Sequence, residues 1–268
     1  FQFGGSYTFN NDDWKLTAGV TAAIGDINDD QQFNIYPKLY TEKSLFKNYL
    51  IFYSGWSRRL QKNTYLNFAQ ENPFINYDIM LENSRVEDRM AGFKGAAGQF
   101  TYNARFSNKV VKQMPLFVND SIDMKRFDVV YDKNTTVINI NVEAGYDWNK
   151  KLRSLLVFDF MLYELDSQAK AWHLPMLSTN FSTSYLLKEK LLINAEVFGV
   201  AGAFARDENG DAEKIKGMAD INLGANYQFT KYLSFFAQLN NLANFKYQKW
   251  YNYPTFGFNA MVGVQFRY

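Results

Sequence analysis

The last fourteen residues, TFGFNAMVGVQFRY, restrict the fold more than any other stretch of the chain. Phe256, Phe258, Ala260, Val262, Val264, Phe266 and Tyr268 alternate without interruption against Gly257, Asn259, Met261, Gly263, Gln265 and Arg267. That is the period of a β-strand with one apolar face and one wet or small face. A soluble sandwich can hold one such strand, so the pattern has to recur before it says which solvent the apolar face meets.

It recurs. Trp14, Leu16, Ala18, Val20, Ala22 and Ile24 share a face opposite Lys15, Thr17, Gly19 and Thr21. Ile138, Ile140, Val142, Ala144, Tyr146 and Trp148 oppose Asn139, Asn141, Glu143, Gly145 and Asp147, and Ala219, Ile221, Leu223, Ala225, Tyr227 and Phe229 oppose Asp220, Asn222, Asn226 and Gln228. Carboxylates and amides at regular spacing on one side of a strand require water or polar partners there. A polar lumen supplies both, and the reading is all-β, an antiparallel transmembrane β-barrel. Ile138, Ile140, Val142, Ile221, Leu223, Val262 and Val264 are then expected to face lipid. Asn139, Asn141, Glu143, Asp220, Asn222 and Asn226 are expected to face the lumen; a register slip of one residue would exchange the two sets.

Composition agrees. Of 268 residues, 25 are Phe, 18 Tyr and 5 Trp, yet the mean hydropathy is −0.34. Polar strands with aromatic girdles give that mixture more readily than a compact soluble core. No run of eighteen predominantly apolar residues exists, which excludes membrane-spanning helices. The absence of Cys excludes a disulfide framework and Cys-ligated zinc. A formal charge of +2 is too balanced for nucleic-acid binding.

The turns repeat as well. YTFNNDDWKL, GYDWNKKLRSL, SYLLKEKLLI and NYQFTKYLSF each place an aromatic and a large apolar residue before a short polar turn and a Leu after it. They read as one membrane rim, with Tyr7, Phe9, Trp14, Tyr146, Trp148, Tyr185, Tyr227, Phe229 and Tyr232 as its aromatic girdle; TEKSLFKNYL and GAAGQF are placed on the same rim. Longer connections fall at 25–32, 60–82, 107–134, 165–173, 205–214 and 243–254. Short periplasmic turns and long extracellular loops are the outer-membrane asymmetry. The segments between give thirteen strands, at 2–9, 14–24, 33–43, 49–59, 83–96, 99–107, 135–148, 151–164, 174–187, 190–204, 215–229, 232–242 and 255–268. MKRFDVVYD at 124–132 is a candidate fourteenth and is assigned to an extended loop. No helix is expected.

The single His, His173 in KAWHLP, is the residue around which a Ser-His-Asp triad would have to be built; a packed His beside Trp172 and Pro175 is the better reading, and the chain is not read as an enzyme. GDINDD (Asp26, Asn28, Asp30) and RDENGDAE (Asp207, Asn209, Asp211) carry D-x-N-x-D spacing, but the twelfth positions are Pro37 and Met218 rather than acids. Solvated hairpin tips explain both, and no metal site or cofactor is expected. The 60–82 loop collects Arg58, Arg59, Lys62, Pro73 and Tyr77 with the candidate ligand-binding set Arg59, Tyr65, Phe68, Asn72 and Phe74. Cations among aromatics can form a ligand platform, or pack the loop over a barrel mouth.

RRLQKNTYLNFAQENPFI, KAWHLP and above all QLNNLANFKYQKWYNYPTFGFNAMVGVQFRY resemble the C-terminal half of TonB-dependent-receptor-like outer-membrane proteins. An N-L-x-N-x-x-Y segment (Asn241, Leu242, Asn244, Tyr247) followed by a Y-P-x-x-G step (Tyr253, Pro254, Gly257) and a terminal aromatic carries the likeness. The resemblance implies a 22-stranded barrel with an N-terminal plug and a TonB-contacting box, importing a ligand across the outer membrane of a Gram-negative bacterium. Plug and box are absent from this stretch, so residues 1–268 are expected to be the C-terminal portion of a larger barrel. The expected partners are the lipid bilayer, a TonB-type energising system acting through that plug, and other outer-membrane subunits. The alternatives are a plugless or partial barrel serving as a structural or accessory subunit, and a passive porin. Thirteen strands would make the first and last run the same way, and bacterial barrels close antiparallel on even numbers. An odd number of further strands is therefore expected, nine if the family's 22 holds. The lack of a leader before Phe1 is read the same way.

Overall fold

The computed structural model describes residues 2–27 and 30–268, with side chains throughout except at 25–27 and 30–32. The chain forms β1 Gln2–Asn10, β2 Trp14–Ile27, β3 Asp30–Phe46, β4 Leu50–Gln61, the short helix α1 Tyr65–Glu71, β5 Ser84–Ala97, β6 Phe100–Asn119, β7 Phe127–Asn149, β8 Leu152–Glu164, β9 Leu177–Leu187 and β10 Leu191–Ala201. A small hairpin follows, β11 Phe204–Arg206 with β12 Ala212–Lys214, then β13 Met218–Gln228 and β14 Leu233–Asn240. A second small hairpin, β15 Gln248–Trp250 with β16 Tyr253–Pro254, precedes β17 Asn259–Phe266. Thirteen strands make one antiparallel sheet in the order β1 to β10, β13, β14, β17. Among the described residues β1 pairs with β2 and β17 with β14, and no pairing joins β1 to β17.

The two faces of the sheet invert the soluble rule. Val262 is 80% exposed, and Ile140, Ile221, Leu223 and Val264 are exposed, while Asn139 and Asp220 are 3% exposed. The polar face satisfies itself across strands. Asp159 accepts from the amides of Asn139 at 3.3 Å and Asn141 at 3.0 Å. Glu196 accepts from Asn180 at 2.5 Å and Asn222 at 3.2 Å. Tyr53 donates to Asn103 at 2.7 Å, and Lys94 pairs with Glu42. A bilayer-spanning strand needs only about 9–11 residues, which β10, β13 and β17 approximate at 11, 11 and 8.

The short turns share a physical device. Asn11 Oδ1 accepts from the backbone N–H groups of Asp13 and Trp14, and Asn149 Oδ1 from Lys151 and Leu152. Thr230 Oγ1 does the same for Tyr232 and Leu233. Such side-chain turns reverse the chain in two or three residues without glycine. At the fourth turn Lys188 (φ 50°) and Glu189 (φ 59°) both take the left-handed conformation that a tight hairpin demands.

Two expectations are corrected. Residues 124–132 are not an extended loop: from Phe127 they are the beginning of β7, which runs 23 residues beside the 20 of β6. Both strands pass well beyond the length a membrane needs and pair to their tip, Asn119 opposite Phe127. Helix is also present. Thr64 caps α1 by accepting from the N–H of Asn67 at 3.2 Å, and the N–H of Asn72 closes it on Phe68 O. The GDINDD loop lies at the edge of, and partly outside, the described residues.

Candidate functional site

The β6–β7 ribbon above the barrel wall is the scaffold of a cap. Leu116, Phe117, Val118 and Asn119 are all buried in succession, so both faces of the ribbon are covered. One face, with Phe117, Phe127 and Val129, packs against Phe68 and Ile75 from the α1 loop and Trp250 from β15. The opposite face, with Leu116 and Val118, packs against Trp172, Leu174 and Phe204. Four segments distant in sequence therefore meet on two strands.

Hydrogen bonds fix each segment to the ribbon. The α1 loop runs alongside the start of β7: Asn76 N donates to Phe127 O at 2.8 Å and Phe127 N to Phe74 O at 3.2 Å. The Asn76 amide also bridges Asp120 at 2.9 Å and Asp128 at 2.6 Å. Asp120 is held below the usual carboxylate range by the N–H groups of Asp123 and Ile122. On the other side, Asp132 is completely buried and accepts from the backbone of Asp166, Ser167 and Gln168 and from the hydroxyls of Thr135 and Ser167. Burial alone would raise its pKa, but the Thr135 hydroxyl and those N–H groups outweigh it and hold the carboxyl at about 2.

His173 joins the pieces. Its backbone takes φ 59° and donates to Phe204 O at 2.7 Å. Nδ1 lies 3.0 Å from Phe117 O, which makes it the protonated nitrogen, and leaves Nε2 to accept from Tyr251 N at 3.4 Å. The ring stands edge-on to Phe127 and against Trp250. Burial pushes its pKa down to about 4 despite the Phe117 carbonyl, so the ring is neutral at physiological pH. A neutral His enclosed by aromatics, with both nitrogens bonded to backbone, is a packing residue. A cavity of about 170 Å³ opens beside it, lined by Pro175, Val200, Ile215, Met218 and Gln248.

The closing motif has its own logic. Asn241 and Asn244 both take φ 53°, a conformation Asn tolerates. Asn241 donates from its amide to Phe245 O and Phe256 O and accepts from Phe245 N, which tightens the exit from β14. The same residue's backbone reaches Asn222 on the polar face. Asp207 Oδ1 accepts from the N–H groups of Asn209 and Asp211, which closes the β11–β12 hairpin.

Within the cap, the candidate ligand residues separate. Phe68 and Asn72 are buried, with Asn72 Oδ1 accepting from Phe74 N. Phe74 stacks on Tyr253 with ring centroids 3.5 Å apart. Arg59 and Tyr65 are exposed. Exposed apolar residues form the cap's crest: Tyr77, which the sequence already singles out in the 60–82 loop, and Leu66, Met80 and Ile122, which it does not. Of the polar wall residues, Asn139, Asn141 and Asp220 are buried, and Glu143, Asn222 and Asn226 are half-buried.

No protein-family model matches the chain, and no curated protein matches it by sequence. Its fold does have solved counterparts. The copper transporter OprC superimposes with a TM-score of 0.73 at 15% identity, over 99% of this chain and 46% of that one. The FrpB iron transporter of Neisseria meningitidis superimposes with a TM-score of 0.71 at 16% identity, over 99% and 44%. The ferripyoverdine receptor of the outer membrane of Pseudomonas aeruginosa gives 0.71 at 15%, over 99% and 38%. The chain spans less than half the length of each. Its fold is that of the outer-membrane β-barrels of TonB-dependent receptors, and the fold's counterparts are transporters and receptors rather than enzymes.

Proposed function

We propose that this chain forms part of the wall and the ligand-capturing cap of an outer-membrane transporter of the TonB-dependent receptor type. The observation that carries the reading is the cap: loops from four places in the sequence fold onto one ribbon rising from the wall's long-loop rim. In this reading the short turns are periplasmic and the cap extracellular. Arg59, Tyr65 and Phe74 meet the ligand together with the exposed crest, while Phe68 and Asn72 hold the platform's shape. Asn139, Asn141, Glu143, Asp220, Asn222 and Asn226 line the lumen, where a plug contributed by sequence outside residues 1–268 would couple to a TonB-type partner. Because thirteen antiparallel strands leave β1 and β17 running the same way, an odd number of further strands completes the barrel.

The test uses the full-length protein in cells, with ferric chelates and copper as probes. Uptake that stops when a protonophore collapses the inner-membrane gradient, and that falls at least tenfold when residues 66–80 are replaced by a short Gly-Ser linker, supports the reading. A steady, energy-independent conductance in planar bilayers would favour a passive porin and overturn it. An unaltered supply of both metals in a strain lacking the protein would favour a structural subunit.

A further inference from the structure

Cap and wall do not close completely on each other. The β10–β13 ladder ends at Val200 opposite Met218. Beyond that pair β10 leaves the wall through Gly202, whose φ of 83° turns the chain into the β11–β12 hairpin. The cavity of about 170 Å³ beside His173 lies where the strands part. Its lining is drawn from four segments: 173–175 before β9, 200–203 after β10, 215–218 before β13 and 248–249 of β15. Backbone hydrogen bonds hold these walls. Met176 N donates to Ala201 O at 3.1 Å, Ile215 N to Ala203 O at 3.0 Å and His173 N to Phe204 O at 2.7 Å. The cavity is therefore part of the fold and not a gap between loose loops.

Its interior and its mouth differ in chemistry. Pro175, Val200, Ile215 and Met218 make the interior apolar. Ile215 and His173 are buried, whereas Lys216 and Lys249 are exposed, which puts two ammonium groups at the mouth. No carboxylate lines the cavity, and among the described residues neither lysine pairs with an acid. Lys249 lies over the Trp250 ring at 5.1 Å. Gln248 Oε1 accepts from Asn252 N at 2.9 Å, which leaves Nε2 as the group it can offer. His173 adds no charge, because burial holds its pKa at about 4.

An apolar chamber whose mouth carries donors, two of them cationic, is complementary to a small apolar body bearing one carboxylate. Size narrows the choice. An apolar cavity of roughly 150 Å³ holds one benzene ring, so this one admits a single ring and not two fused rings. Met218 favours an aromatic ring, since a thioether gains from contact with an aromatic edge.

We propose that the cavity is a binding site for a monocyclic aromatic carboxylate. The ring lies against Val200, Ile215 and Met218, and the carboxylate is taken by Lys216, Lys249 and the Gln248 amide. Such an occupant touches the wall through Val200 and Met218 and the cap through His173 and Gln248, so its binding ties β15 to the top of β10 and β13. The site is separate from the exposed crest, and it does not depend on which side of the membrane the cap faces.

Isothermal titration of the full-length protein in mild detergent reads the site, with benzoate, benzyl alcohol, acetate and naphthoate as probes. Benzoate is expected to bind saturably at one site per chain. Benzyl alcohol lacks the charge, acetate lacks the ring and naphthoate has one ring too many, so each should bind at least tenfold more weakly. Lys216→Gln/Lys249→Gln, confined to the exposed mouth, should erase the preference for benzoate over benzyl alcohol. Ala203→Phe fills the chamber and should abolish binding of both; the lysine variant decides the matter if this one fails to fold. Hydrogen exchange in the presence of benzoate should slow severalfold at 173–176 and 248–252 and stay unchanged at 64–80. Absence of saturable binding at millimolar benzoate, an affinity unaltered in the lysine variant, or equal affinity for any of the other three probes would overturn the proposal. Protection at 64–80 in place of 173–176 and 248–252 would move the site to the crest and overturn it as well.

Discussion

The wall and the cap share strands but bury opposite residues. On β7, within the wall, Asn139 and Asn141 are hidden and Ile140 is exposed. Ten to fourteen residues earlier on the same strand, Phe127 and Val129 are hidden, and on β6 Leu116 and Phe117 are hidden on opposite faces of one ribbon. The wall is sorted by lipid, which accepts apolar side chains from outside and leaves polar ones to satisfy each other within. The cap is sorted by water, which drives apolar groups together as in any soluble core. One strand thus obeys two solvents in succession, and substitutions should report which solvent governs each place.

The largest effect is expected in the cap's interior. Phe127 is 0% exposed, and its ring meets those of His173, Trp250 and Tyr253. Phe127→Ala should cost about 3–5 kcal/mol of local stability. Hydrogen exchange should then show 62–83, 165–176 and 245–254 opening together while the amides of β8 to β10 keep their protection. Loss of protection throughout the wall would show that cap and wall are one cooperative unit.

In the wall the sensitive direction is reversed. Val262, opposite Ala237 on β14, is apolar and exposed, and truncating it removes little. Introducing charge there is costly: Val262→Arg should lower stability by about 2–4 kcal/mol if the position lies near the bilayer midplane. The same arginine at Ile122, on the cap's tip and 96% exposed, should be neutral. Unfolding midpoints in lipid vesicles compare the two; equal costs would place Val262 outside the bilayer.

The cap should also respond to pH through its one histidine. His173 has its pKa lowered from 6.5 to about 4 by burial. A depressed pKa means that the unfolded cap binds the proton first, so the stability it represents is fully present above about pH 6.5 and is lost as the pH falls through about 4. On the order of 3 kcal/mol is at stake. Protease sensitivity of 165–176 and 245–254 should rise across that window in wild type, and the rise should be blunted in His173→Gln. An identical pH profile in the variant would assign the effect to another group.

The same division explains what could be read from the sequence. Thirteen strands were legible because lipid on one side and polar neighbours on the other impose a strict two-residue period, punctuated by turns that Asn11, Asn149 and Thr230 close locally. The ribbon at 107–134 was not legible as strand. Both its faces are covered, so LFVN and FDVVY lose the apolar and polar alternation that marks a strand, and a short apolar run has no period of its own. α1 offered seven residues and little more than Tyr65 and Phe68 on one face, too short for a helical repeat. Its Thr64 cap was the available signal. The aromatic and cationic content of 60–82 pointed to a platform, but which side of each residue is inward depends on Phe117, Phe127 and Tyr253, contributed by segments roughly 50 to 190 positions away.

The smallest expected effect puts the two regions side by side on the same chemistry. Thr64 in the cap and Asn149 in the wall each use a side-chain oxygen to accept backbone N–H groups at a chain reversal, Thr64 from Asn67 and Asn149 from Lys151 and Leu152. Removing either acceptor should cost about 1 kcal/mol. The consequences should differ, because the Asn149 turn is pinned on both sides by the β7–β8 ladder, whereas α1 hangs from a loop whose main anchors are Phe68, Ile75 and the Asn76 bridge. Thr64→Ala should therefore raise hydrogen exchange across 64–72 severalfold and leave the rest of the cap unchanged. Asn149→Ala should raise exchange only at 150–152. If Asn149→Ala instead loosens β7 and β8 along their length, the wall's register depends on its turns rather than on the sorting of its faces by lipid.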